Sequence, residues 1–145
     1  NIAVIGTVSA DGGYDSWAAG FGLDPTVTTG PTAGAPTADP DSDGFNNQQE
    51  YAFGTDPTEG TPSLLSTETV SGNLTVTWLE RADVTYNVQS TVNLATTPFA
   101  NDDTVAVVLG PTEPAPPAGY TRKQFTIVEP TGNGFYRVSA ATTAP

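Results

Sequence analysis

A regular alternation of apolar and polar residues is the feature that most limits the folds open to this chain. It begins near residue 63 and continues to about residue 141, interrupted by clusters of Pro, Gly and Asp. Successive side chains of a strand point to opposite faces, so this alternation predicts half-buried strands. Roughly five or six such segments predict a mainly β protein with an immunoglobulin-like β-sandwich over residues 63–145. The clearest apolar positions are Leu74, Val76, Trp78, Val84, Tyr86 and Val88.

Residues 11–62 follow a different pattern, which predicts a short helix pair. The first helix spans residues 14–22 and the second spans residues 46–53, where Gly54 ends it. Between them, residues 24–38 are rich in Pro, Thr and Gly, so we expect an extended surface connector that buries nothing. The apolar residues expected to meet between the two helices are Trp17 and Phe21 on the first and Phe45, Ala52 and Phe53 on the second.

The acidic loop, residues 39–50, matches the spacing of a twelve-residue calcium-binding loop. Gly44 stands at the position of the sharp turn. Phe45 offers a backbone carbonyl, and Asn47 is placed to reach the ion directly or through a water. The carboxylates stand at the other ligand positions, and they are Asp39, Asp41, Asp43 and Glu50.

Two alternatives to a calcium site follow from the same residues. Asp-Gly pairs are common in solvated turns, but four carboxylates with no basic residue nearby repel one another without a cation. Magnesium demands a tighter octahedron and keeps its waters, so calcium is the favoured ion.

The run from Asp39 to Tyr51, followed by Gly54-Thr55-Asp56-Pro57, resembles the bacterial thrombospondin type 3 calcium repeat, related in its loop to dockerin and EF-hand loops. This resemblance implies that Asp56 is an additional ligand. Residues 84–90 and 134–139 are similar to a sandwich module that follows such loops in large secreted bacterial proteins. A connector, rather than a helix, precedes Asp39, the first position of the loop. We therefore predict a static structural ion instead of a calcium sensor.

The N-terminal strand, residues 1–10, is apolar on both faces over its first half and is followed by Asp11-Gly12-Gly13. It can complete the sheet of its own subunit. Alternatively, it can act as a donor that completes the sheet of the next subunit, which would build a head-to-tail polymer. The residues predicted to make that subunit contact are Ile2, Val4, Ile5 and Val8.

Composition excludes several classes of function. The chain has 16 acidic and 4 basic residues and a net charge of -12, so nucleic acid and anionic membranes are poor partners. It has no His and no Cys, which removes imidazole bases and thiol nucleophiles. Carboxylate-pair catalysis lacks any pocket signal, so no enzyme activity is expected. Exposed aromatic residues would instead suit a sugar-binding face, for which the candidates are Tyr86, Phe99, Tyr120 and Tyr136. The alternation places at least Tyr86 inward, however, and we expect these rings to belong to the core rather than to a sugar site.

These observations predict a calcium-stabilised structural protein outside the cell. The chain begins at Asn1 and its polar residues are mostly Thr, Ser, Asn and Gln, which favours secretion after signal-peptide removal. Membrane insertion is not expected, because no apolar run is long enough. The predicted function is a self-assembling subunit of a surface filament made of identical subunits. The alternative is a carbohydrate-binding or anchoring module of a larger secreted protein, with surface glycans as partners.

Overall fold

Two four-stranded sheets and two short helices make up the part of the chain that the structure describes. The structure is a computed structural model and describes residues 4–5, 12–128 and 134–142. The helices are α1 (Gly12–Gly20) and α2 (Asn47–Phe53). The strands are β1 (Val4–Ile5), β2 (Ser66–Val70), β3 (Asn73–Arg81), β4 (Val84–Thr91), β5 (Ala100–Asn101), β6 (Val108–Leu109), β7 (Tyr120–Ile127) and β8 (Phe135–Thr142).

The strand order is β1-β8-β4-β5 in one sheet and β2-β3-β7-β6 in the other. Neighbouring strands are antiparallel except β1 and β8, which are parallel. This arrangement is mainly β, as the alternation predicted, and is consistent with a β-sandwich. No helix among the described residues is long and apolar enough to cross a membrane.

The main core contains inward-facing residues of both sheets. Val76 and Trp78 on β3 lie in the same buried cluster as Val88 on β4. The Trp78 and Phe125 rings meet edge to face, with 5.8 Å between their centroids. The buried apolar positions follow the predicted alternation, and the buried apolar residues of the sheets are Val76, Trp78, Val84, Val88, Phe125, Val138 and Ala140.

The strands β3 and β4 are consecutive in the chain but lie in different sheets. β3 ends at Arg81 and β4 begins at Val84, so only Ala82 and Asp83 connect them. Alternation alone does not distinguish a hairpin from a crossing between sheets at this place. The crossing places Arg81 and Asp83 at one end of both sheets.

The residues between the helices do not form the extended connector that was expected to bury nothing. That prediction is wrong, because Ala33, Ala35 and Ala38 form a second buried cluster with Val27 packed against it. A β-bridge between Asp24 and Ala33 folds the segment back on itself. Small residues permit this close packing of backbone, although the segment offers few large apolar side chains.

Side chains of both helices hold this folded segment in place. The Asn47 side-chain amide donates hydrogen bonds to the carbonyls of Ala33 (2.8 Å) and Ala35 (3.0 Å). The Tyr14 hydroxyl donates to the Gly34 carbonyl at 2.8 Å. A Cβ atom at Gly34 would lie 2.6 Å from the backbone carbon of Asp24, so glycine is required there. The segment is therefore part of the packed helical layer.

Candidate metal centre

Helix α2, which contains the last residues of the acidic loop, has well-defined ends. Asn46 caps α2: its side chain accepts a hydrogen bond from the Gln49 backbone, and the Gln49 side chain accepts one from the Asn46 backbone. Such a reciprocal capping box satisfies two backbone donors that the helix itself leaves unpaired. Gly54 ends the helix in the left-handed conformation at φ 72°. These two signals place Glu50, the last residue of the acidic loop, on the first turn of α2.

Backbone N–H groups hold the carboxylates of the acidic loop in place. Asp39 accepts hydrogen bonds from the Ser42 nitrogen (2.7 Å) and the Gly44 nitrogen (3.1 Å). Ser42 and Gly44 have left-handed backbone conformations, with φ of 63° and 98°. The loop thus turns sharply where the template requires glycine. Further bonds of this kind run from Asp43 N to Asp41 Oδ1 (3.2 Å), from Phe45 N to Asp43 Oδ1 (2.8 Å) and from Thr61 N to Asp43 Oδ2 (2.6 Å).

Asp39, Asp41 and Asp43 converge on one point. Each offers a carboxylate oxygen, and these oxygens all lie within 4.8 Å of one another. The Oδ2 atom of Asp41 is buried and has no hydrogen-bond partner. Burial is the main cause that raises the pKa of Asp41, and the nearby charges of Asp43 and Asp39 raise it further. A cation at this point would offset the cost of burying the Asp41 charge and would reduce the repulsion among the three carboxylates.

Glu50 brings a fourth carboxylate to the same region from the helix. Its side chain is fully buried; Oε1 accepts a hydrogen bond from the Thr55 hydroxyl at 3.1 Å, and Oε2 has no partner. Burial, followed by the charges of Asp41, Asp43 and Asp39, raises the pKa of Glu50 to about 8. Glu50 does not belong to the group of oxygens within 4.8 Å of one another, but it is electrostatically coupled to all three aspartates.

The other predicted ligands occupy different surroundings. Asn47 is fully buried. Its amide nitrogen donates to the carbonyls of Ala33 and Ala35 in the connector, and its Oδ1 has no partner. Asp56 lies outside the group of three aspartates, and its Oδ1 accepts hydrogen bonds from the nitrogen (2.9 Å) and hydroxyl (2.7 Å) of Thr58. The Phe45 ring packs against the main core. Ligation by Asn47, by Asp56 and by the Phe45 carbonyl stays a prediction.

A cluster that the sequence did not predict joins α2 to the sheets. The Arg81 cluster consists of Arg81, Asp83, Tyr51 and Tyr120. The Arg81 guanidinium lies 3.8 Å from the centroid of the Tyr51 ring, forms an ion pair with Asp83 (2.6 Å) and donates to the Tyr120 hydroxyl (3.1 Å). Tyr51 donates to Asp83, and Tyr120 donates to the Tyr51 carbonyl at 2.6 Å. The helix that carries Glu50 is therefore fixed to the turn between the sheets.

Electrostatics within the Arg81 cluster favour the ionised pair. Burial opposes the charged form of Asp83, but the hydrogen bonds from Arg81 and Tyr51 outweigh it, so the pKa of Asp83 lies below its usual value. The local pair Arg81 and Asp83 is visible in the sequence. Tyr51 lies 32 residues from Asp83, and no spacing rule connects the two.

The contact between the helices differs in detail from the prediction. Tyr51, rather than Phe53, meets the first helix: its ring centroid is 5.4 Å from Trp17 and 5.2 Å from Tyr14. Phe53 packs instead against Tyr86 of β4, at 5.8 Å. The short helix turns Tyr51 and Phe53 toward different neighbours, so α2 lies between α1 and the sheets.

The aromatic residues first considered for sugar binding have internal partners. Tyr86 donates to the Ala52 carbonyl, and Tyr120 belongs to the Arg81 cluster. The Phe99 ring lies under the Arg137 guanidinium at 4.2 Å, and Tyr136 packs against the main core. Each of these rings has a role inside the fold.

The N-terminal strand is described only at two residues. Val4 pairs with Ser139 and Ile5 pairs with Ala140, both in β8 of the same chain. This is the pairing expected if the strand completes its own sheet. The predicted contact residues Ile2 and Val8 lie outside the described residues, so exchange between subunits stays a prediction.

The chain matches no protein-family model, no curated protein and no solved structure. The assignment of the acidic loop therefore rests on its spacing and on its own geometry.

Proposed function

We propose that this chain is an extracellular, non-enzymatic structural module whose helical layer is held by one calcium ion. The observation that carries the proposal is the pair of buried, unpartnered oxygens, Asp41 Oδ2 and Glu50 Oε2, beside the three converging aspartates. Buried polar atoms normally have partners, and buried charges normally have a counter-ion. A hard divalent cation that takes six to eight oxygens suits this all-oxygen set.

The ion would be held by side chains of Asp39, Asp41, Asp43 and Glu50. Of the further predicted ligands, we favour the Phe45 carbonyl, because it is the next ligand position of the loop after Asp43 and is separated from it only by Gly44. Calcium at 100 times its dissociation constant would stabilise the folded state by about 2.7 kcal/mol. The Arg81 cluster would carry this stabilisation from α2 to the sheets.

The calcium proposal is tested by thermal unfolding with and without chelator. We expect chelation to lower the melting temperature of the unmodified chain. The Asp41→Ala variant is expected to unfold at the same temperature with and without calcium, because it removes a central ligand. Asp103→Ala removes an exposed carboxylate far from the loop and is the matched control, which should keep the full response. An unmodified chain that is indifferent to chelator would refute the proposal.

We further propose that the sheets form an immunoglobulin-like sandwich and that the module assembles head to tail by exchange of its N-terminal strand. One observation supports exchange: β1 lies at the edge of its sheet, beside β8. Loss of β1 would open the edge of β8 to the same strand of another subunit. A contact of this type does not close on itself and therefore extends into a filament.

Deleting residues 1–10 tests the assembly proposal separately from the ion. We expect the full chain to form filaments visible by electron microscopy and the shortened chain to remain a monomer that still binds calcium. Adding residues 1–10 as a free peptide is expected to restore a folded, capped monomer without polymerisation. Filaments formed by the shortened chain would rule out strand exchange and leave the calcium site unaffected.

No catalytic role is assigned to the carboxylates. The chain lacks His and Cys, and Glu50, the carboxyl with a strongly raised pKa, is fully buried. A general acid or base must reach a substrate, and Glu50 has no exposed surface with which to do so.

A further inference from the structure

An aromatic groove lies on the side of the helical layer, beside the end of α2. It has a volume of about 530 Å³ and is open to solvent. The residues that define it here are Ser16, Trp17, Gly20, Phe21, Asp56 and Tyr120. The lining thus comes from α1, from the segment after α2 and from β7, three parts of the chain that the Arg81 cluster and the helix packing hold together.

The apolar part of this aromatic groove is built from the rings of Trp17, which packs against the main core, and Phe21, which packs on Trp17. Trp17 and Phe21 meet edge to face, with centroids 5.3 Å apart and planes at 63°. The ring centroids of Trp17 and Tyr14 lie 5.6 Å apart, so the buried Tyr14 ring supports the indole. Phe21 remains 37 % exposed although it is large and apolar. An apolar corner of this kind, held rigid before any ligand arrives, is typical of a small-molecule site.

The polar part of the groove is made of oxygen atoms. Ser16 is exposed, and its hydroxyl has no hydrogen-bond partner among the described residues. Asp56 adds a carboxylate whose Oδ1 is oriented by Thr58. No Lys or Arg of the described residues lines the groove. A carboxylate accepts hydrogen bonds, and a serine hydroxyl both donates and accepts them, so the groove complements a ligand that carries many hydroxyl groups.

Charge selects among such ligands. The chain carries a net charge of -12, which repels phosphates, nucleotides and acidic sugars. A neutral ligand that is rich in hydroxyl groups avoids this repulsion.

We infer that the aromatic groove is a binding site for an uncharged glycan, with apolar sugar faces on Trp17 and Phe21 and sugar hydroxyls on Ser16 and Asp56. This activity goes beyond calcium clamping and assembly, and it uses Asp56 as a hydrogen-bond acceptor for sugar rather than as the calcium ligand that the resemblance implies. The volume is within the 300–1,000 Å³ range of small-ligand sites and would hold about one or two sugar rings.

The test is a titration of the full chain, in saturating calcium, with neutral oligosaccharides. The probes are cellohexaose, mannohexaose and N-acetylchitohexaose, followed by calorimetry and by tryptophan fluorescence. Trp17 and Trp78 are the tryptophans of the chain, and Trp78 is only 3 % exposed, so a fluorescence change on binding reports on Trp17. We expect at least one probe to bind and to change that signal.

Two variants connect the binding to the groove. A Cβ atom at Gly20 meets no heavy atom within 4 Å, so Gly20→Gln is expected to fold and to fill the groove. It should lower the association constant about tenfold or more, as should Phe21→Ala. Ala19→Gln, next to it on an exposed position outside the groove, is the matched control and should leave binding unchanged.

Three results would overturn the inference. The first is that no neutral probe binds. The second is that a probe binds equally well to the unmodified chain and to Gly20→Gln, which would place the sugar elsewhere. The third is that choline, spermidine or hexagalacturonate binds while the neutral probes do not, which would assign the groove to a charged ligand. A normal melting-temperature response to calcium in the same samples would show that the metal proposal is unaffected.

Discussion

Replacing Glu50 by glutamine is expected to have opposite effects on the calcium-free and calcium-bound protein. In the calcium-free fold, burial and three neighbouring aspartates raise the pKa of Glu50 from its ordinary value of 4.5 to about 8. The unfolded chain loses this proton as the pH passes about 4.5, but the folded chain keeps it until about 8. The stability that belongs to this group is therefore fully present below about pH 4.5 and is lost as the pH rises through about 8.

The size of the effect follows from the same two values. At pH 7 the unfolded chain has released the Glu50 proton, whereas the folded chain holds it. The pH is then 2.5 units above the ordinary pKa of 4.5, so taking up this proton on folding costs roughly 3 kcal/mol. The glutamine side chain would be neutral at every pH and would retain an oxygen for the Thr55 hydroxyl. Without calcium, Glu50→Gln is therefore expected to stabilise the fold at pH 7 by up to about 3 kcal/mol.

The assay is urea unfolding in chelator at several pH values between 4 and 9, repeated in excess calcium. We expect the unmodified chelated protein to lose stability across this range, and Glu50→Gln to lose much less. In calcium the order should reverse, because the amide supplies one neutral oxygen in place of a charged carboxylate. Glu80→Gln is the control, a half-buried glutamate bonded to Trp78 away from the loop, and it should not abolish the calcium response. A Glu50→Gln protein with the unmodified pH profile would refute the reasoning.

Two further substitutions test the structural connections of the site. Arg81→Ala removes the ion pair with Asp83 and the contact with Tyr51, and we expect a loss of roughly 2–3 kcal/mol in urea unfolding, with separate transitions for helices and sheets. An equal loss in Arg122→Ala, whose guanidinium bonds loop carbonyls instead, would contradict a special role for Arg81. Gly54→Ala would place a Cβ atom 2.9 Å from side-chain carbons of Leu79 and Tyr120, and we expect a loss of about 1–3 kcal/mol by thermal unfolding. Gly30→Ala, at a similar positive φ but with nothing within 4 Å, should lose less, and equal losses would argue against the packing explanation.

Local patterns in the sequence were sufficient for the ends of α2, the turn of the acidic loop and the strands with clear alternation, whereas α1 was expected over residues 14–22 and spans Gly12–Gly20. α2 starts after Asn46 and ends before Gly54 because the capping groups are adjacent in sequence to the backbone they satisfy. The three aspartates converge because a twelve-residue loop encodes its own geometry. These features depend on residues that are close together in the chain.

Features that depend on distant residues could not be predicted in the same way. Alternation shows that Val84 and Val88 face inward, but it does not show that β4 leaves the sheet of β3. The prediction that the connector buries nothing is wrong because it rests on the lack of large apolar side chains. Ala33 and Ala35 bury backbone and methyl groups instead. The contact between Arg81 and Tyr51 forms only when α2 packs on the sheets, so no local pattern in the sequence indicates it.

The parallel pairing of β1 with β8 determines how the domain would respond to mechanical tension. Both strands run in the same direction, with Val4 opposite Ser139 and Ile5 opposite Ala140. A force that pulls the first strand toward its beginning and the last strand toward its end would therefore slide one along the other. The hydrogen bonds between them would share the load in shear, whereas an antiparallel terminal pair would open one bond after another.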